Sequence, residues 1–220
     1  IREQHKKMKD KSLKEKFQYF WEYYRVATIV TIIIVIFVGN LIYTIATAKD
    51  SALYAVLVNG YTDMDTEAYM EGFNEYAQIN TKKYSTLLEP NFTLSQDSTD
   101  GYAIANIQKF AAQVAAKELD VMVADPDTFE QYVDNGYLGD LEEFISEETL
   151  SSFSGRLLYA DIPDDGTSEE VPVGIEISGC AFLEESGAYA GQDEVYFGVL
   201  INSENGDNAE KFLQYIFQEH

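Results

Sequence analysis

The 220-residue sequence predicts an α/β protein: one N-terminal transmembrane helix, then a three-layer α/β/α domain with a mostly parallel five-stranded sheet. Three observations carry this reading. An uncharged run of 23 residues lies between Arg25 and Lys49. Beyond it, apolar strands alternate with amphipathic helical stretches in the order β-α-β-α-β-α-β-β-α, which argues for a largely parallel sheet covered by helices. The charge is also divided. Residues 1–26 carry eight Lys/Arg against four acids, so the remainder holds −27 of a net −23. The implied division is a basic and aromatic juxtamembrane segment at 1–25, a span at 26–48 and an outer domain at 49–220. Ile1 is not an initiator methionine, so a few residues are expected upstream.

The run VATIVTIIIVIFVGNLIYTIATA is about 34 Å long as a helix, against a hydrocarbon core of about 30 Å. Thirteen of its residues are Val, Ile, Leu or Phe. Together they favour insertion by about 4–8 kcal/mol. The run exceeds the apolar length of a signal peptide, so an uncleaved anchor is expected in spite of Ala46-Thr47-Ala48. Basic residues before it place the N-terminus in the cytoplasm and the C-terminal domain outside the cell. Phe20, Trp21, Tyr23, Tyr24 and Arg25 suit the headgroup zone. The stretch KKMKDKSLKEK is expected to lie against anionic lipid. Gly39 and Asn40 are candidates for packing on a partner helix; facing lipid is the alternative.

In the outer domain, LYAVLV at 53–58 reads as a buried strand, ended by Asn59-Gly60. Asp65 can cap a helix with Tyr69, Phe73 and Tyr76/Ala77 on one stripe. A second strand within 83–94 ends near Pro90. A helix over 102–118 presents Ile104, Ile107, Ala111, Val114 and Ala115. LDVMVA is the third strand. Asp125 then caps a helix with Pro126 in its first position, and Asn135-Gly136 stops it. LGDLEEFI reads as a short helix with Leu141, Phe144 and Ile145 inward. VPVGIEIS and VYFGVLI are the fourth and fifth strands. Asp207 caps a last helix whose apolar face is Phe212, Leu213, Ile216 and Phe217. Residues 146–170 and 184–194 read as acidic loops, and ADIPDDGTSEE as mobile.

The segment LDVMVADPDTFEQYVDNGYLGDLEEFI resembles part of the bacterial extracellular solute-binding proteins of ABC importers. VYFGVLINSENGDNAEKFLQYIF and PVGIEISG are similar to that family's later strands and closing helix. The resemblance covers roughly residues 53–217. It implies one lobe of a two-lobed capture protein. A second lobe needs a domain-sized insert, and only sixteen residues separate Ser178 from Val195. The chain is therefore expected to carry a single lobe on a transmembrane helix, where the Gram-positive pattern is a lipid anchor.

Catalytic groups are scarce. The histidines are His5 and His220, so the outer domain has no internal His for a Ser-His or Cys-His pair. Cys180, the one cysteine, reads as a small buried residue. Asp63, Asp65 and Glu67 alternate as in a calcium loop, but Ala68 stands where that loop needs glycine, so they read as a solvated helix start. No cofactor and no enzymatic activity are expected. So acidic a surface repels nucleic acid. The expected partners are the lipid bilayer and membrane proteins, among them ABC-transporter subunits. A small amine, peptide or sugar is a further possible ligand. It would sit at the carboxyl ends of the strands, at Asn59, Gly60, Tyr61, Asp125 and Pro126.

Overall fold

The structure is a computed structural model that describes residues 13–94, 101–163 and 169–219. The basic stretch before Leu13, the polar loop 95–100 and residues 164–168 of the segment expected to be mobile lie outside the described residues. The chain divides into two compact units, Ile1–Ala48 and Lys49–His220.

The first unit is helix α1, Leu13–Thr47. Within it Tyr24–Thr44 has a mean hydropathy of 2.5, and none of it is buried by protein. Val26, Val35, Phe37, Ile42 and Tyr43 are all more than 60% exposed. A helix apolar around its whole circumference has no soluble face, and its length and composition suffice to cross a membrane. Phe20, Trp21, Tyr23, Tyr24 and Arg25 all belong to α1, with Trp21 and Tyr24 exposed on it.

The second unit is an α/β fold around a six-stranded sheet of order β2-β1-β3-β6-β5-β4. The strands are β1 (Asp50–Val58), β2 (Tyr84–Phe92), β3 (Val121–Ala124), β4 (Leu157–Asp161), β5 (Glu170–Glu176) and β6 (Tyr196–Val199). The helices are α2 (Thr66–Tyr76), α3 (Gly101–Ala115), α4 (Pro126–Asp134), α5 (Glu147–Ser152), α6 (Ala181–Ser186) and α7 (Gly206–Tyr215), with a 3-10 turn at Leu141–Glu143.

The sheet corrects the expectation of five mostly parallel strands. β1 pairs in parallel with β2 and β3, whereas β3–β6, β6–β5 and β5–β4 are antiparallel. The missed strand is β4, in the stretch read as an acidic loop. The β4–β5 connection is shorter than a parallel crossover requires, so the two strands form an antiparallel hairpin. Helix α6 lies between β5 and β6. Its six residues rise about 9 Å, too little to carry the chain back along the sheet.

Alternation along β1 and β3 feeds two cores. Leu53, Ala55, Leu57, Val121 and Val123 face one way, against Phe73 of α2, Phe182 of α6 and Phe212 and Leu213 of α7. Val56, Val58, Met122 and Ala124 face the other way, against Phe110 of α3 and Phe129 and Tyr132 of α4. Helices thus cover both faces.

One expected stripe shifts. In α3 the anchors are Phe110 and Val114, while Ile104 and Ala115 are exposed, because the helix turns its bulkiest ring to the sheet. Along α2 the expected stripe holds through Tyr69, Phe73 and Ala77, with Tyr76 exposed. Caps are mixed too. Asp65 Oδ1 accepts from Ala68 N at 3.1 Å, as expected. Asn205, not Asp207, occupies the N-cap of α7 and caps with no side-chain bond. LGDLEEFI forms a 3-10 turn capped by Asp140 instead of an α-helix.

Candidate functional site

The chain leaves β1 through α2 to reach β2 on one side, and returns through α3 to β3 on the other. The carboxyl ends of β1 and β3 are therefore the point where strand order reverses, the usual ligand crevice of open α/β sheets. Four of the five sequence-predicted residues meet there. Asn59 takes a left-handed backbone, φ 58°, which asparagine tolerates better than most residues. Its Nδ2 donates to Thr128 Oγ1 at 3.0 Å, and its Oδ1 accepts from Leu94 N at 3.0 Å. Thr128 Oγ1 donates in turn to Asp125 Oδ2 at 2.8 Å, while Asp125 Oδ1 accepts from Thr128 N at 3.0 Å. Asp125 is thus the N-cap of α4, with Pro126 opening the helix. Both Asp125 oxygens are engaged within the corner. Tyr61 stands apart: it is 62% exposed, and its hydroxyl lies 3.3 Å from Thr93 Oγ1.

The residue that decides the corner is one the sequence did not single out. Tyr189, in the turn after α6, is 7% exposed. Its hydroxyl lies 2.7 Å from the carbonyl oxygens of both Val58 and Val123, and donates its one proton across that pair. Those are the carbonyls that a ligand entering the crevice would meet. Gly60 makes room for the ring. A Cβ there would fall 2.6 Å from Tyr189 Cζ and 2.9 Å from its hydroxyl. Tyr61 N donates to Ala188 O at 2.8 Å and pins the turn. Burial, with the Asp125 carboxylate adding to it, pushes the Tyr189 phenol well above its ordinary range, so it stays a neutral donor. The crevice is filled by the chain's own side chain.

Open space lies beside the corner. A shallow cleft of about 710 Å³ is lined by Tyr61, Asp63, Met64, Asn91 and Glu185 among others. A second, of about 460 Å³, lies at the β4 edge between Leu150, Leu157, Tyr159 and Pro172, with Glu142 and Glu147 on its lining.

Two further carboxylates are built into the fold. Asp120 is fully buried. It accepts from Tyr54 N at 2.8 Å, Ser203 Oγ at 2.7 Å and Asn205 Nδ2 at 3.1 Å, tying β1 and β3 to the turn after β6. Desolvation raises its pKa, opposed by those hydrogen bonds. A lone Asp opening an otherwise apolar strand was the available signal. Glu210 on α7 accepts from Ser146 Oγ and Thr149 Oγ1, each at 2.5 Å, and from Ser146 N at 3.1 Å. Burial works against its charge, but the donors of Ser146 and Thr149 outweigh it and hold the carboxyl below its ordinary range. Both groups join elements through these hydrogen bonds.

Cys180 is buried, and burial pushes its thiol up to about 11, far from a reactive thiolate. Among the described residues no group of three or more His, Cys, Asp or Glu is placed to hold a metal ion. No protein-family model matches the chain, and no curated protein matches it in sequence.

Proposed function

We propose that this chain is a membrane-anchored, extracytoplasmic interaction module without catalytic activity, serving as an accessory subunit of a membrane complex of the ABC-transporter type. Residues 26–48 hold it in the bilayer, single-pass, with the N-terminus cytoplasmic and the α/β unit outside. The unit is one lobe of a solute-binding-protein-like fold that keeps the sheet and lacks the second lobe. The carrying observation is Tyr189. Open α/β sheets hold ligands in the crevice at the strands' carboxyl ends, and here a buried phenol bonds two carbonyls of that crevice and packs on Gly60. A fold that retains the frame and fills the crevice fits a role in binding other proteins. Affinity purification of the chain from native membranes in mild detergent tests this. A stoichiometric membrane-protein partner is expected; recovery of this chain with no other protein contradicts it.

A small-solute receptor is the second reading. The exposed Tyr61 ring beside Asp63 and Glu185 favours it, because an aromatic face with nearby carboxylates suits an organic cation. Thermal-shift screening against amines, peptides and sugars decides. A melting-point rise that Tyr61→Ala abolishes supports this reading, and no rise from any of them removes it.

A further inference from the structure

The span contains one carboxamide, Asn40. At 1.5 Å per residue it lies about 6 Å along α1 from Thr44 and about 24 Å from Tyr24, the ends of the apolar stretch. In a core of about 30 Å, that is about 9 Å from the midplane and inside the hydrocarbon. Long Lys and Arg side chains reach the headgroups from such depths, but asparagine is too short to do so. Two threonines of the helix bond locally. Thr31 Oγ1 donates to Ala27 O at 2.8 Å and Thr47 Oγ1 to Tyr43 O at 2.7 Å. The Asn40 side chain, with two donors and an acceptor, has no hydrogen-bond partner among the described residues. Hydrocarbon offers it none, so a second helix must.

We propose that the second helix is another copy of this chain. The two spans pair in parallel, with the Asn40 carboxamides hydrogen-bonded to each other. The inference rests on the membrane-anchored reading above. Uniform insertion puts Asn40 of every copy at the same depth. A carboxamide both donates and accepts, so a two-fold pair satisfies it with nothing but itself. The flanking sequence agrees. With Asn40 at the a position of a heptad, Val26, Ile33 and Thr47 share that stripe, and Ile29, Ile36 and Tyr43 fall at d. A single asparagine at an a position specifies register and oligomer state. Gly39, next to Asn40, removes side-chain bulk beside the contact.

The test uses the full chain in dodecylmaltoside, compared with Asn40→Leu and Asn40→Gln. The readouts are native mass spectrometry and dilution-dependent energy transfer between labelled copies. The wild type is expected as a two-chain species. Asn40→Leu is expected to raise its dissociation constant about 3- to 30-fold, with Asn40→Gln in between. A wild type that runs as one chain overturns the proposal, including the case where Asn40 binds a helix of a different protein. An Asn40→Leu chain that pairs as tightly as wild type overturns it too. Alkaline carbonate extraction separates the two levels. A chain that stays in the membrane pellet but is monomeric overturns only the pairing, while a chain released by carbonate overturns the anchor and the pairing together.

Discussion

Tyr189 sits where three elements meet, and the cost of altering it follows from what it touches. Tyr189→Phe keeps the ring but withdraws the only proton shared by the Val58 and Val123 carbonyls. It is expected to destabilise the fold by about 1–3 kcal/mol in urea denaturation. Gly60→Ala drives a Cβ into the same ring and is expected to cost about 1–3 kcal/mol as overpacking. Asp120, which is buried, and Glu210, which is half-buried, act in opposite directions with pH. Asp120 has a raised folded pKa, so its contribution to stability is full below the ordinary carboxylate value and is lost as pH rises through the folded one. Glu210 has a lowered folded pKa, so its contribution is present above the ordinary value and is lost as pH falls through the folded one. Denaturation between about pH 3 and 7 is therefore expected to show Asp120→Asn closing its gap to wild type as pH rises, and Glu210→Gln closing its gap as pH falls.

Among the elements, α4 is the one whose limits were most legible. Asp125-Pro126 supplies an acceptor and a residue needing no N–H partner, and Gly136 ends the helix at φ 71°. Asp125→Ala is expected to cost about 0.5–2 kcal/mol by leaving Thr128 N and the Asn59–Thr128 chain unsupported. Gly136→Ala is expected to cost about 1–2 kcal/mol through left-handed strain alone. Thermal melting of the two variants checks both figures. The elements that escaped notice are short. α5 and α6 have six residues each, fewer than two turns, so no 3.6-residue period can emerge from them. β4 has five residues at the sheet edge with a register shift after Leu158, and its burial does not alternate cleanly. The candidate site was half legible for a similar reason. Asn59, Gly60, Asp125 and Pro126 announce themselves by turn and cap chemistry. Tyr189 acts from 131 positions away from Val58, a distance that no local pattern spans.

At the scale of the whole chain, the apolar span and the alternating order of strands and helices were readable. The direction of the later strands was not, because it depends on connection length and not on composition. The charge asymmetry has its own consequence. Residues 49–220 carry 34 acids against seven Lys and Arg, and described ion pairs such as Lys109–Glu89 lie at the surface of that unit. Self-repulsion of that size is screened as the Debye length falls from about 30 Å at 0.01 M salt to about 8 Å at 0.15 M. The melting temperature of the α/β unit is expected to rise across that range, and an unchanged value would show that the fold spaces its carboxylates widely enough to ignore one another.

The proposed placement of the acidic unit beyond the membrane is tested most directly by a single engineered thiol. Asp193 is exposed, whereas the native Cys180 is buried with its thiol pushed up to about 11, so background labelling is low. An Asp193→Cys chain is treated with a membrane-impermeant maleimide in intact cells and again after lysis. Equal labelling in both is the expected result for a unit outside the cell, and labelling that appears only after lysis would contradict it.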